Sequence, residues 1–266
     1  MQRLLERIGL DAMPPPDVEG LRALHRAYVA SVPYEDLAVQ LGESARLDEA
    51  ALTRRVLSGG RGGYCFEVNT VLCALLRAAG FTVERREARV NDAELCNHMA
   101  LVVRVDGREF LADAGLGEGP LDPVELGDGV RTRGPLSWSV ARTADGWRLD
   151  QHPWGSIDAG VTFGDAPAGL ADFDAHHLRL ATDPSSSFVR TLVLQRPFDD
   201  RIVTLRSRTL SVDGPGRRDR VVLADAREFA EALREEFGVD PGALGPERLR
   251  RLWAQACEQH EAFVAR

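Results

Sequence analysis

Cys65 lies in the stretch RGGYCFEVN, after a glycine pair and a tyrosine and just before an apolar helical pattern. Glycines permit a sharp turn and close backbone approach. The start of a helix offers N–H groups without intrahelical partners and about half a positive charge. Both favour thiolate over thiol, the nucleophilic form of cysteine, and the same N–H groups suit an oxyanion formed in acyl transfer. Position alone fits an ordinary buried cysteine equally well. Cys73, inside the apolar helix, and Cys257, near the end of the chain, read as structural. A nucleophilic cysteine needs a base, and the base an orienting group. The six histidines are His25, His98, His152, His176, His177 and His260.

A hairpin selects among them. Asp106-Gly107 separates two β-rich runs, HMALVVRV and REFLADA, and Asp-Gly is a strong two-residue turn signal. Counting outward from that turn, Val105 faces Arg108, Arg104 faces Glu109, Val102 faces Leu111, Ala100 faces Asp113 and His98 faces Gly115. His98 and Asp113 then share one sheet face as diagonal neighbours, their Cβ atoms roughly 5–8 Å apart, within reach of an imidazole–carboxylate bond. The opposite charges of Arg104 and Glu109 support this register, and a slip of one residue would put His98 and Asp113 on opposite faces. The order Cys65, His98, Asp113 matches the logic of papain-like thiol acyl transfer, a thiolate–imidazolium pair oriented by a carboxylate. Cys96 alternates with His98, but two close donors without a second pair at metal spacing do not make a zinc set. His176 and His177 fall in the strand-rich part, where neighbours point to opposite faces, so no metal is expected.

The elements that position these residues change character along the chain. Residues 1 to about 80 read as helical. DVEGLRALHRAYVASVP and FEVNTVLCALLRAAG carry apolar stripes at helical spacing, and Asp48 opens a third helix as N-cap. From 81 to about 210, β-rich runs dominate, including LSWSVAR, GWRLDQ, SFVRTLVLQR and DRIVTLRSRTLSV, with Asp145-Gly146 as a second hairpin signal. The tail returns to helix, with Asp225 and Glu228 as a capping box, Gly238 as a stop and a last helix over 246 to 264. Helices, then antiparallel strands, then an α-rich tail exclude a doubly wound βαβ fold.

Composition narrows the function classes. The chain has 266 residues, 44% hydrophobic, and a net charge of −8. It can bury a sizeable core and lacks the basic footprint of a nucleic-acid binder. No apolar run approaches the ~18 residues of a membrane span, and the charged start MQRLLERIGLDAMPPPD is unlike a signal peptide. A reduced, cytoplasmic setting without disulfides is expected for its four cysteines.

RGGYCFEVN, NHMALVV and FLADAGLG together resemble the arylamine N-acetyltransferase family, and VPYEDLAV and DPSSSFV are similar to further stretches of it. The resemblance implies an α+β fold with three parts: a helical bundle (1–80) carrying the nucleophile, an antiparallel β-barrel (81–190) carrying His98 and Asp113, and an α/β lid (191–266). It implies a ping-pong reaction in which Cys65 takes acetyl from acetyl-CoA and passes it to an arylamine or arylhydrazine. His98 would move protons and Asp113 would fix its tautomer. The partners implied are a small-molecule amine and an acyl thioester. Tyr34, Phe66 and Leu116 are the substrate-binding candidates. Asn97 stands where the family usually has Thr. Tyr34 replaces a usual Phe, and Leu116 replaces the Phe of a Gly-Phe-Gly-like turn, removing a flat wall for an aromatic ring. The same architecture serves amide synthases that join an amine to a larger acyl thioester, which is the alternative function. A thiol hydrolase would be marked by water or a peptide amine as acceptor. A silent binding module would be marked by a Cys65 no more reactive than Cys73 or Cys257. No phosphate loop of the GxxxxGK type is present, so CoA has to be held by other means.

Overall fold

The computed structural model describes residues 1–133, 135–151 and 154–265, so His152 lies outside the described residues. The amino-terminal helices begin where the sequence supplies caps. Asp17 accepts from Gly20 N at 2.8 Å at the start of Val18–Ser31, and Asp48 accepts from Ala51 N at 2.6 Å at the start of Glu49–Val56. The helix Cys65–Ala78 carries Val68, Val71, Leu72, Leu75 and Leu76 into a core shared with Leu21, Leu24 and Tyr28 of Val18–Ser31.

That core continues onto a sheet. Strand His98–Val105 is buried on both faces, as its near-continuous apolar run requires. Met99, Leu101 and Val103 face the helices, while Ala100 and Val102 join a second core with Val140, Leu149 and Phe163. The sheet has eight antiparallel strands in the order Val124–Glu125, Arg108–Leu111, His98–Val105, Thr82–Val90, Val161–Gly164, Gly146–Gln151, Leu136–Arg142, Gly129–Arg133. It curls around the second core into a barrel whose first and last strands are not paired with each other.

The hairpin that orients the site has the expected turn. Asp106 (φ 52°) and Gly107 (φ 72°) are both left-handed, the condition for a tight two-residue connection, and Val105 pairs with Arg108, Arg104 with Glu109 and Val102 with Leu111. The ladder stops earlier than expected. After a last bond from Ala112 N to Leu101 O (2.9 Å), the predicted pairings of Ala100 with Asp113 and His98 with Gly115 do not form. The chain turns instead toward helix Cys65–Ala78, where Ala114 N donates to Asn69 Oδ1 at 2.9 Å. The second Asp-Gly pair sits in a longer connection, with Arg142 facing Trp147 and Thr143 N bonded to Gly146 O.

The carboxy-terminal sheet has five antiparallel strands: Tyr34–Glu35, Val193–Pro197, Ile202–Arg206, Thr209–Gly214 and Arg217–Val222. Its first strand comes from the helical block, a two-residue insertion without a pattern of its own, and its last is an exposed polar edge. Helices Ala226–Glu235 and Pro246–Val264 cover one face through Phe229, Leu233, Leu252 and Ala256. Two stretches read as strand-rich are helical. Asp174–Thr182 is an α-helix, and SFVR of the run at 187–196 forms a helical turn because the Ser186 side chain caps Phe188 N.

Candidate active site

The turn before Cys65 is fixed by a buried ion pair. Glu35, fully buried, accepts from Arg61 Nε (2.8 Å), Gly62 N (3.2 Å) and Leu37 N (2.6 Å). Burial alone would push this carboxyl up, but Arg61 and Arg55 outweigh it and hold it below the usual carboxylate range. Glu67 Oε2 reaches back to Tyr64 N at 3.3 Å and pairs with Arg55 at 2.8 Å. Cys65 therefore opens the helix Cys65–Ala78 at its first position.

His98 and Asp113 meet across the end of the hairpin, His98 Nε2 lying 2.6 Å from Asp113 Oδ2. The other carboxylate oxygen accepts from Asn69 Nδ2 at 2.7 Å and Gly115 N at 2.8 Å. Burial pushes the Asp113 carboxyl up; His98, Asn69 and the Gly115 N–H more than reverse this and hold it below its ordinary value. Asn69, not among the residues singled out from sequence, stands four residues after Cys65, which puts both on one helix face. Its amide also donates to Met99 O at 2.6 Å, so one side chain joins the nucleophile's helix, the base's strand and the carboxylate's loop.

The thiol differs from expectation. Burial pushes Cys65 well up, the Asp113 charge adds to the effect, and only the Phe66 N–H among its stronger influences pulls it down. The favourable helix start is outweighed, and the sulfur lies 3.5 Å from Asn97 O.

Cys65 and His98 open onto one cavity of about 330 Å³ whose lining includes Tyr34, Leu116, Ile157, Phe188 and Arg206. Phe66, a substrate-binding candidate from sequence, is absent from that lining. One residue on from Cys65 along a helix, it faces the core, where its ring packs against Tyr64, Phe173 and His177. A second cavity of about 550 Å³ shares Ser156, Thr191, Gln195 and Arg206 with the first and adds Arg218, Arg220 and His260. His177 buttresses the site from behind. Its Nδ1 lies 2.6 Å from Tyr64 Oη and its Nε2 2.6 Å from Ala45 O. Since the Ala45 carbonyl can only accept, Nε2 carries a hydrogen, and the Tyr64 hydroxyl also lies 3.0 Å from the His177 carbonyl, to which it donates.

All four cysteines are free. Cys73 lies in the core and Cys257 is half-buried. Cys96 lies among donors different from those the sequence suggested. Its sulfur, a carboxylate oxygen of Glu87 and a ring nitrogen of His176 all fall within 4.8 Å of one another. Three donors, one of them on half-exposed Glu87, are one short of a closed structural zinc set.

The N-acetyltransferase family profile matches residues 17–243. Over 252 residues the chain is 33% identical to the arylamine N-acetyltransferase of Mycolicibacterium smegmatis, covering 90% of this chain and 92% of that protein. Over 262 residues it is 25% identical to proansamycin X synthase of Amycolatopsis mediterranei, covering 91% and 98%. The structure matches that of Mycobacterium marinum arylamine N-acetyltransferase in complex with CoA at a TM-score of 0.86 and 26% identity, covering 96% of this chain and 97% of that one.

Proposed function

Since the chain belongs to the N-acetyltransferase family, we propose that it moves an acetyl group from acetyl-CoA to an arylamine or arylhydrazine through a thioester on Cys65. The observation that carries this reading is the buried His98–Asp113 pair, 2.6 Å apart, whose imidazole shares a cavity with the Cys65 thiol.

In the first stage the Cys65 sulfur attacks the thioester carbonyl and passes its proton to His98. Asp113 bonds Nε2, fixing the ring's orientation and stabilising the imidazolium that forms. N–H groups at the start of helix Cys65–Ala78 offset charge on the developing oxyanion. The tetrahedral adduct collapses, the C–S bond to CoA breaks, and His98 returns the proton to the leaving thiolate. In the second stage the amine attacks acetyl-Cys65, His98 takes its proton, and Cys65 leaves as thiolate and is reprotonated. The second cavity suits the donor's phosphates through the planar guanidinium donors of Arg206, Arg218 and Arg220, the last two paired with Asp213 in the same lining, and the hydroxyls of Thr204, Thr209 and Ser211 lie among them. Initial rates with acetyl-CoA and amine varied together test the scheme. Parallel double-reciprocal lines are expected; intersecting lines would mean both substrates bind before any chemistry and would refute the covalent carrier.

Leu116 in the cavity lining, in place of a ring, favours one second reading. An amide synthase would use the same three residues on a bulkier acyl thioester. A turnover number for a long-chain acyl thioester exceeding that for acetyl-CoA would select it.

A further inference from the structure

We propose that Glu118 is a positioning residue that holds the segment Trp154–Ile157 as one wall of the acceptor side of the cavity, with Ile157 as the side chain that sets which amines fit. This rests on the acyltransfer reading above.

Glu118 lies five residues beyond Asp113 and is 1% exposed. Its Oε1 accepts from Ser156 N (2.7 Å), Ile157 N (2.7 Å) and Gln151 Nε2 (3.0 Å). Its Oε2 accepts from Gln195 Nε2 (3.0 Å) and Ser156 Oγ (3.3 Å). All five donors are neutral. A buried carboxylate is costly without compensation; here hydrogen bonds offset part of that cost, burial still holding the carboxyl above its usual value, and two successive backbone N–H groups clasp one oxygen, which fixes the local path of the loop. Gly155 shows how close the approach is. Its φ of +122° is one that L side chains rarely adopt, and a Cβ there would lie 2.5 Å from the Glu118 carboxylate. The carboxylate thus ties together the turn after Asp113, the barrel strand Gly146–Gln151 with the loop beyond it, and strand Val193–Pro197 of the other sheet.

Three of its partners, Ser156, Ile157 and Gln195, line the cavity that holds Cys65 and His98; Glu118 does not, although it lines the second cavity. It acts through them. Ile157 packs with Leu116 and Val90 against the barrel core, and all three line the cavity. Ile157 therefore completes an apolar wall at the place where Leu116 supplies no ring. Losing the carboxylate frees the loop and disperses that wall, while the bonds of His98, Asp113 and Asn69 involve none of these groups. Glutamine at 118 keeps one acceptor oxygen for Ser156 N and Ile157 N, and Gln195 can turn its amide to match the other end, so glutamine should rescue.

Glu118→Ala, Glu118→Gln and Ile157→Ala, with the wild type, are assayed in two ways. The first pair of readouts reports on Cys65 itself: its acetylation rate from acetyl-CoA and its alkylation rate by iodoacetamide. The second pair reports on the wall: KM for 4-chloroaniline and the rate of Cys65 alkylation by N-phenyl iodoacetamide relative to iodoacetamide. Glu118→Ala and Ile157→Ala are expected to raise KM at least tenfold and to change the aryl-to-small alkylation ratio at least fivefold. Iodoacetamide rates should stay within threefold in both variants, acetylation rates within threefold in Ile157→Ala, and Glu118→Gln within threefold of wild type throughout. Unchanged KM and ratio in Ile157→Ala would overturn the proposal even if Glu118→Ala fails to fold. Parallel loss of all four readouts in a folded Glu118→Ala would make the residue merely structural and would also overturn it. A wild type that alkylates but takes no acetyl refutes the acetyl donor instead, and the alkylation ratio still decides the role of Glu118.

Discussion

Replacing Asn69 with alanine removes three hydrogen bonds at once: to Asp113 Oδ1, to Met99 O and from Ala114 N. The two consequences have different sizes. Leaving the Met99 carbonyl and the Ala114 N–H without this partner costs about 1–3 kcal/mol for each group that stays unsatisfied. A loss of about 2–6 kcal/mol in unfolding free energy is therefore expected, against a total of about 5–15 kcal/mol. The bond to Asp113 is to a charged group, worth about 1.5–3 kcal/mol, and it matters most when His98 is protonated and Asp113 must bear full charge beside it. Lost at that point, it lowers kcat/KM by roughly 10- to 150-fold. The assay is kcat/KM at fixed donor, with urea denaturation on the same sample to confirm the fold. A double-mutant cycle with Asp113→Asn isolates the cause: once the charge is gone, removing Asn69 should cost little further activity. If Asn69→Ala retains activity within twofold, or if its loss is undiminished in the Asp113→Asn background, then Asn69 does not act through the carboxylate.

Three further outcomes follow from the same geometry. Gly115→Ala places a Cβ 2.7 Å from Cys65 Cα and 2.9 Å from Asn69 Nδ2, so the helix start must shift; a fall in kcat/KM of about 100-fold or more is expected, since misplacement near 1 Å costs about that much, and steady-state kinetics check it. Arg61→Ala strips the buried Glu35 of its ion-pair partner, which should destabilise the fold by about 3–5 kcal/mol in urea denaturation. Asp113 and Glu35 both hold their protons less tightly folded than unfolded. Their contributions are present in full above the ordinary carboxylate value of about 4 and drain away as pH falls through the lower folded values. Between about pH 6 and 3, urea stability should show a shallower acid loss in Asp113→Asn than in the wild type; the buried Asp36 and Glu118 carboxyls, held above their ordinary values, act in the opposite direction and are common to both proteins.

What was legible in the sequence was local. Asp106-Gly107 is a strong turn signal and Arg104 opposite Glu109, a 2.8 Å pair, supports the register, so the hairpin was legible as far as Leu111; His98 and Asp113 do meet, but beyond the ladder, where the chain has turned toward Asn69. Asp48 and Asp225 mark helix starts because a side-chain oxygen there satisfies an otherwise unpaired N–H. What escaped was long-range. Tyr34–Glu35 is too short to carry an alternation, and it becomes a strand only because Val193–Pro197 arrives beside it. Arg217–Val222 shows no alternation because an edge strand exposed along its whole length needs no apolar face. Glu118 is one acid among many until the fold brings Gln151, Ser156 and Gln195 to it. The thiol shows a local rule overridden: the helix start lowers its pKa, but burial, which no short window reveals, raises it more.

The central claim is that Cys65 carries the acyl group, and intact mass after brief exposure to acetyl-CoA without acceptor tests it most directly. The wild type should gain a single acetyl, Cys65→Ala none, and addition of an arylamine should discharge the adduct as N-acetyl product. An adduct that persists in Cys65→Ala, or one that forms on the wild type but is not released by any amine, would contradict the account.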